Sequence, residues 1–378
     1  MRYLIWLGIV LGLLMPATTA QAQYELPTPV CPDVGIQPRP QEFEPAGIIL
    51  STWDFTALWV YDIARNARYP LPNTAPCGTN CHLSDDAQWI TYHNIERRAF
   101  GRMRLDGTQR SILASYAAEV DWWSDDRLLV WSGSNNAYLF SLVDGSIEWL
   151  DFPGLVNVQP GGYWGVAITA GDGEFERYLV DARNFHGFDN AIYLGIATRY
   201  FEATSWSPNG EWLAVIGRGA FHLQSQTRGA ELFAVRPEDG TLIQWTNFSQ
   251  QVGAVRINGH APGSISWSPD GNHIAFWVMP MTSDDPATAG PARIHILNVQ
   301  DGSMRVYCDY ETTEHTPNPP RLVWSPDGTH IAFGGENIIT GSSTLLLALN
   351  VETGVFTALS GDVYPALGSP DVVAWGNK

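Results

Sequence analysis

The stretch "SWSPDGNHIAFWV" at residues 266–278 returns as "VWSPDGTHIAFGG" at 323–335 and, more loosely, as "SWSPNGEWLAVIG" at 205–217. In each copy a short approach ends in Trp-Ser, a turn with Asp-Gly or Asn-Gly reverses the chain, and an apolar run follows. Glycine after Asp or Asn supplies the positive backbone angle that a tight reversal needs. The run "IAFW" is apolar without alternation, as expected of a strand buried on both faces.

Aligned on the turn serine, the unit recurs at Ser84, Ser124, Ser207, Ser268 and Ser325, with a worn copy at Gln159 in "VNVQPGGYWGVAI". A period near 40 residues with variable insertions marks a propeller blade array. After each turn comes a run such as "WITY", "LLVW" or "HIAFW". A second run follows ("NAYLFSLV", "AELFAVR", "STLLLALNV"), then a glycine turn ("LDGT", "VDGS", "EDGT", "QDGS", "ETGV") and a last run. Each unit therefore reads as four strands, A to D, and helical periodicity is essentially absent.

The first run, "AGIILSTW" at 46–53, looks like a B strand without an A strand before it, and "ALWVYDI" and "ARYPLP" serve as C and D. At the other end, "DVVAWGNK" at 371–378 matches the approach to a turn, with Trp375 where Trp324 and Trp267 stand. The C-terminal strand is expected to complete the first blade, which removes exposed sheet edges. The fold class is thus an all-β propeller of seven four-stranded antiparallel blades; six is the alternative if the unit around Gln159 is not a blade.

The chain has 378 residues, 45% of them hydrophobic, with 39 Asp and Glu against 21 Lys and Arg and a net charge of −18. Phosphate backbones and anionic lipid surfaces repel such a surface, so no nucleic-acid or membrane partner is expected. The segment 1–22 reads as a signal peptide: Arg2, an apolar run from Leu4 to Met15, then Ala20-Gln21-Ala22. Residues 23–45 form a proline-rich arm and 46–378 the propeller, which implies an extracytoplasmic, periplasmic or secreted protein. Four cysteines (Cys31, Cys77, Cys81, Cys308) can then pair, with three connectivities open. Cys77 and Cys81 could close a tight loop, leaving Cys31 to pin the arm through Cys308.

The phrase W-S-P-D-G-x-x-I-A-F, at 267–276 and 324–333, resembles the TolB-type, WD-like propeller repeat across roughly residues 46–378. The resemblance implies a binding or scaffolding propeller, without the α/β domain that precedes the propeller in TolB. The same repeat fronts serine peptidases of the prolyl oligopeptidase type, but no G-x-S-x-G occurs here.

In an antiparallel blade the A–B and C–D turns emerge on one face and the B–C and D–A connections on the other. The short turns occupy the first face. The long connections at 217–230, 249–263, 278–291 and 309–320 belong to blades 5 and 6 and should cluster on one sector of the second. Candidate ligand-binding residues there are His222, Arg228, Arg256, His260, Asp284, Asp285, Glu311, Glu314 and His315. Arginines of this set could hold a carboxylate. The plainer account is that polar residues simply occupy long solvated loops.

Ser207, Ser268, Ser325, Asp86, Asp270 and Asp327 recur with the fold, which favours a role in the turns. Trp123, Trp206, Trp267 and Trp324 hold one repeated position, which favours packing between blades. No metal or cofactor is expected, "AGDGEFE" at 170–176 lacking the full ligand ladder of a calcium loop. The sequence reading is an exported, monomeric, non-catalytic propeller that binds a protein or peptide through its long-loop face. The alternative is a carbohydrate-binding or glycan-processing propeller. A pair of buried carboxylates roughly 5–10 Å apart at the channel mouth would favour glycan hydrolysis.

Overall fold

A computed structural model describes residues 25–52, 57–75, 81–115, 119–131, 137–150, 155–170, 175–184, 187–188, 190–197, 204–218, 229–257, 265–283, 289–313, 320–336, 344–360 and 371–378. Seven sheets follow one another round a ring. Blade 1 comprises Ile48–Thr52, Leu58–Asp62 and Ala67–Leu71, with Asp371–Gly376 from the C-terminus as its inner strand. The closing pairs are Ile48 with Gly376, Ile49 with Trp375 and Leu50 with Ala374. Lys378, the one lysine of the chain, places Nζ 2.9 Å from Oδ2 of the buried Asp62 and so ties the tail to blade 1.

Blades 3 to 7 each run A to D in chain order, from Glu119–Ser124 in blade 3 to Phe356–Ser360 in blade 7. In blade 2 the three strands Trp89–Asn94, Ala99–Arg104 and Ser111–Ser115 gain their fourth member from the bridge between Leu83 and Ile90. The worn copy at Gln159 is a full blade of four strands, from Leu155–Val158 to Ile192–Ala197. The ring therefore has seven blades.

Because each blade is apolar on both faces, the core is divided into seven clusters, one at each junction between neighbouring blades. A tryptophan belongs to six of these clusters; the one between blades 1 and 2 has none, with Leu83 at the corresponding strand position. Trp206 packs at the junction of blades 4 and 5, Trp267 at 5 and 6, and Trp324 at 6 and 7. The Nε1 of Trp324 donates to the Ser266 carbonyl and that of Trp267 to the Ser205 carbonyl, at 3.0 and 3.2 Å.

The turns repeat one hydrogen-bond circuit. Ser268 Oγ donates to Asp270 Oδ1 at 2.5 Å while accepting from the His273 N–H at 2.9 Å, and Asp270 also accepts from the Asn272 N–H at 3.0 Å. Ser325 with Asp327, Ser84 with Asp86, and Ser207 with Asn209 do the same. The turn aspartates thus satisfy backbone donors. Gly271 and Gly328 carry φ of +70°, open to glycine at little cost; blade 2 places Ala87 there at +55°.

The N-terminal arm lies against the outer wall. Its strand β1 (Thr28–Val30) adds in parallel to the D strand of blade 6, Met304–Tyr307, and β2 (Ile36–Pro38) adds in parallel to that of blade 7, Phe356–Ser360. Between them the Cys31–Cys308 disulfide fixes the chain. The Asp309 carboxylate accepts from the N–H groups of Asp33, Val34 and Gly35 at 3.2, 2.8 and 3.1 Å. Cys81 is also disulfide-bonded; Cys77 and the segment 1–24 lie outside the described residues.

Candidate functional site

The long-loop sector is built on blade 6. Its B strand, His273–Pro280, is the longest described strand and outreaches the inner strand Ser266–Trp267. The extra length is paired with Val255–Ile257, where Val255 meets Pro280 and Ile257 meets Val278. Above it Met281 N–H donates to the Ala254 carbonyl at 2.9 Å, and Ala292 bridges Thr312. The segment read as a bare 249–263 connection thus includes one helical turn, Phe248–Gln251, and a strand. The helix start is held by the buried Glu231, which accepts from the Phe248 and Ser249 N–H groups at 2.9 Å each.

Of the candidate ligand-binding residues, Arg256 stands on that added strand, opposite Met279. Glu311 begins the connection to blade 7 and pairs with Arg293, whose Nη2 is 2.8 Å from Glu311 Oε2. The structure brings these two to the rim of the same blade. His222, Arg228, His260, Asp284, Asp285, Glu314 and His315 lie outside the described residues.

A second group, which the sequence reading did not single out, sits on the inner wall. The A strands of successive blades approach one another round the central channel. The position one residue before the inter-blade packing position is occupied by His82, Asp121, Asn157, Ser205 and Ser266 in blades 2 to 6. Where His82 and Asp121 meet, His82 Nδ1 is 3.2 Å from Asp121 Oδ1 and Nε2 is 3.3 Å from Glu119 Oε1.

The electrostatics of this trio have separable causes. Burial pulls the His82 imidazole down, but the charges of Asp121 and Glu119 outweigh burial and the opposing Arg321 guanidinium, leaving it above its ordinary value. Burial pushes the Asp121 carboxyl up, against the pull of His82 and of the Trp122 N–H. At the turn mouth beside it, burial and the charges of Asp125, Asp121 and Asp86 raise Asp85. The wall of blades 2 and 3 thus sets a histidine between two acidic side chains, with the proton affinities of His82 and Asp121 both raised.

Among the described residues no group of three or more His, Cys, Asp or Glu is placed to hold a metal ion. A cavity of about 120 Å³ between blades 6 and 7, lined by His273, Asn298, Arg305, Tyr307 and Trp324, holds only a few waters or a single small group. No described helix is long and apolar enough to cross a membrane.

No known protein-family profile and no curated protein matches the chain. Solved structures do match. TolB from Acinetobacter baumannii is 16% identical, with 87% of this chain and 82% of that one covered and a TM-score of 0.45. An oligogalacturonate lyase from Vibrio parahaemolyticus is 11% identical over 83% and 86%, with a TM-score of 0.50. A puromycin hydrolase mutant is 12% identical over 86% of this chain and 55% of that one, with a TM-score of 0.49. At such identities the likeness to the lyase shows a shared fold, the β-propeller, and no activity.

Proposed function

We propose that this chain is an extracytoplasmic binding propeller that holds a protein or peptide partner on its long-loop face. The observation that carries the reading is the raised tier on blade 6. Val255–Ile257, the end of the B strand and the Ala292–Thr312 bridge form a hydrogen-bonded ledge from which the longest connections depart. Loops set on a rigid scaffold collect binding residues because their ends are fixed while their tips vary. The Cys31–Cys308 disulfide and the oxidised Cys81 suit an oxidising compartment. Pull-down with the mature chain tests the reading. Replacing residues 282–289 by a Gly-Ser linker and Arg256 by Ala should remove the partner while the fold persists; a partner that survives both changes overturns it.

A second reading is favoured by one feature, the His82–Glu119–Asp121 trio. A proton donor beside carboxylates on a channel wall suits acid–base work on a glycan. If purified protein cleaves an acidic or neutral oligosaccharide and Asp121→Asn abolishes the cleavage, this reading replaces the first.

A further inference from the structure

Each blade ends in a D strand whose outer edge offers unpaired backbone groups, and the seven edges are treated in three ways. Those of blades 6 and 7 are covered by β1 and β2 of the arm. That of blade 1 (Ala67–Leu71) carries Pro70, which has no N–H to offer, and that of blade 2 (Ser111–Ser115) begins with serine. Among the described residues nothing pairs with the outer edges of blades 3, 4 and 5, and these edges are apolar. Trp149 is 65% exposed on Ile147–Leu150, Tyr193 51% on Ile192–Ala197, and Leu242 62% on Thr241–Gln244. Ile147, Ile196 and Ile243 stand beside them, also exposed. The covered strands of blades 6 and 7 show no exposed large apolar side chain.

We infer that the outer wall of blades 3 to 5 is a docking surface that takes an extended segment of another polypeptide by strand addition, parallel to the D strands. The molecule shows the occupant's chemistry on its own neighbouring wall. The arm contributes three residues per blade, "TPV" then "IQP", crosses between blades through Cys31–Gly35, and needs no sheet of its own. The arm's first described residue reaches the junction of blades 5 and 6: the Glu25 carbonyl accepts from Gln251 Nε2, in the helical turn Phe248–Gln251 that leads from blade 5 into blade 6. The uncovered surface is therefore continuous with an interface this fold already makes.

Charge selects against a second copy. Two bodies of net charge −18 repel. Blades 3 to 5 carry the ion pairs Arg127–Glu148, Arg183–Asp181 and Arg236–Asp239, so the arginines beside the wall are already engaged by carboxylates of this chain. An uncharged, proline-flanked apolar segment fits: main-chain bonds supply affinity, and Trp149, Tyr193 and Leu242 supply alternate side-chain contacts.

The test is site-specific photocrosslinking of the full chain in its producing cells. p-Benzoylphenylalanine is placed singly at Trp149, Tyr193 and Leu242, and at the exposed Ser111 of blade 2 as control. The three wall positions should yield an adduct with a different protein at least about ten-fold above the control. That adduct should persist when residues 282–289 are replaced, which separates this surface from the long-loop site. The crosslinked segment, synthesised as a peptide, should bind the purified protein saturably and lose about ten-fold in affinity to a Trp149→Lys, Tyr193→Lys, Leu242→Lys variant. No adduct above control, an adduct of two copies of this chain, or a peptide indifferent to the triple substitution overturns the proposal.

Discussion

Blades 6 and 3 carry the same four strands, yet they place their tryptophans differently. In blade 6 four residues separate Ser268 from His273, and Trp267 pairs with Ile274. In blade 3 the turn is shorter: Ser124 pairs directly with Arg127, and a bulge then sets Trp122, not Trp123, opposite Leu128. Trp122 accordingly takes the slot toward the preceding blade, its Nε1 donating to the His82 carbonyl at 2.9 Å. Trp123 turns to the following blade, packing on Tyr163 and donating to the Gly162 carbonyl at 2.8 Å. Turn length, and not the Trp-Ser dipeptide, decides which indole fills the junction, because one added residue moves a strand's side chains to its other face.

The sharpest way to break this comparison is substitution of the two neighbours. Trp122→Ala should cost about 3–5 kcal/mol, as for a large buried aromatic, and Trp123→Ala less than half of that, measured by chemical denaturation. An equal or reversed order would refute the bulge. Next in size is the staple that blade 6 has and blade 3 lacks. Replacing Cys31 and Cys308 together by Ser should lower stability by about 2–4 kcal/mol. It should also speed amide exchange in β1 and β2 with no change at the D strand of blade 3. Smaller again is the turn of blade 2. Ala87 sits at φ +55° where the strong copies have glycine, so Ala87→Gly should stabilise by about 0.5–1 kcal/mol, seen as a raised Tm. Loss of stability there would mean that the Ala87 carbonyl, which accepts from Asn377 N–H at 2.7 Å, depends on the alanine backbone.

How much of this was legible follows from the range of each interaction. The turns, the B strands and the ring closure are local or repeated, so "WSPDG" and the orphan "DVVAWG" announce them. The arm's course was not legible: strands of three residues with prolines have no periodicity, and their pairing is set by contacts with blades 6 and 7. The channel trio joins residues almost one repeat apart. Two residues before the turn position stand His82, Asn157, Ser205 and Ser266, a polar column that stacking the repeats would have shown. Asp121 falls out of that column because blade 3 has the shortened turn, so the same bulge that misplaced the tryptophan concealed the contact.

The smallest predicted effect tests that contact. His82 in blade 2 has its folded-state proton affinity raised by Asp121 and Glu119 of blade 3. A group raised on folding stabilises fully below its unfolded pKa, about 6.5 for His. Its contribution fades as pH climbs through the higher folded value. Wild-type Tm should therefore decline relative to His82→Gln as pH rises above the unfolded histidine value of about 6.5, where the variant's profile should be flatter. Blade 6 has Ser266 at the equivalent position, and Ser266→Ala should leave the pH dependence untouched. A His82→Gln profile parallel to wild type would show that the two carboxylates do not hold the proton, and with it the second reading of the channel would lose its acid.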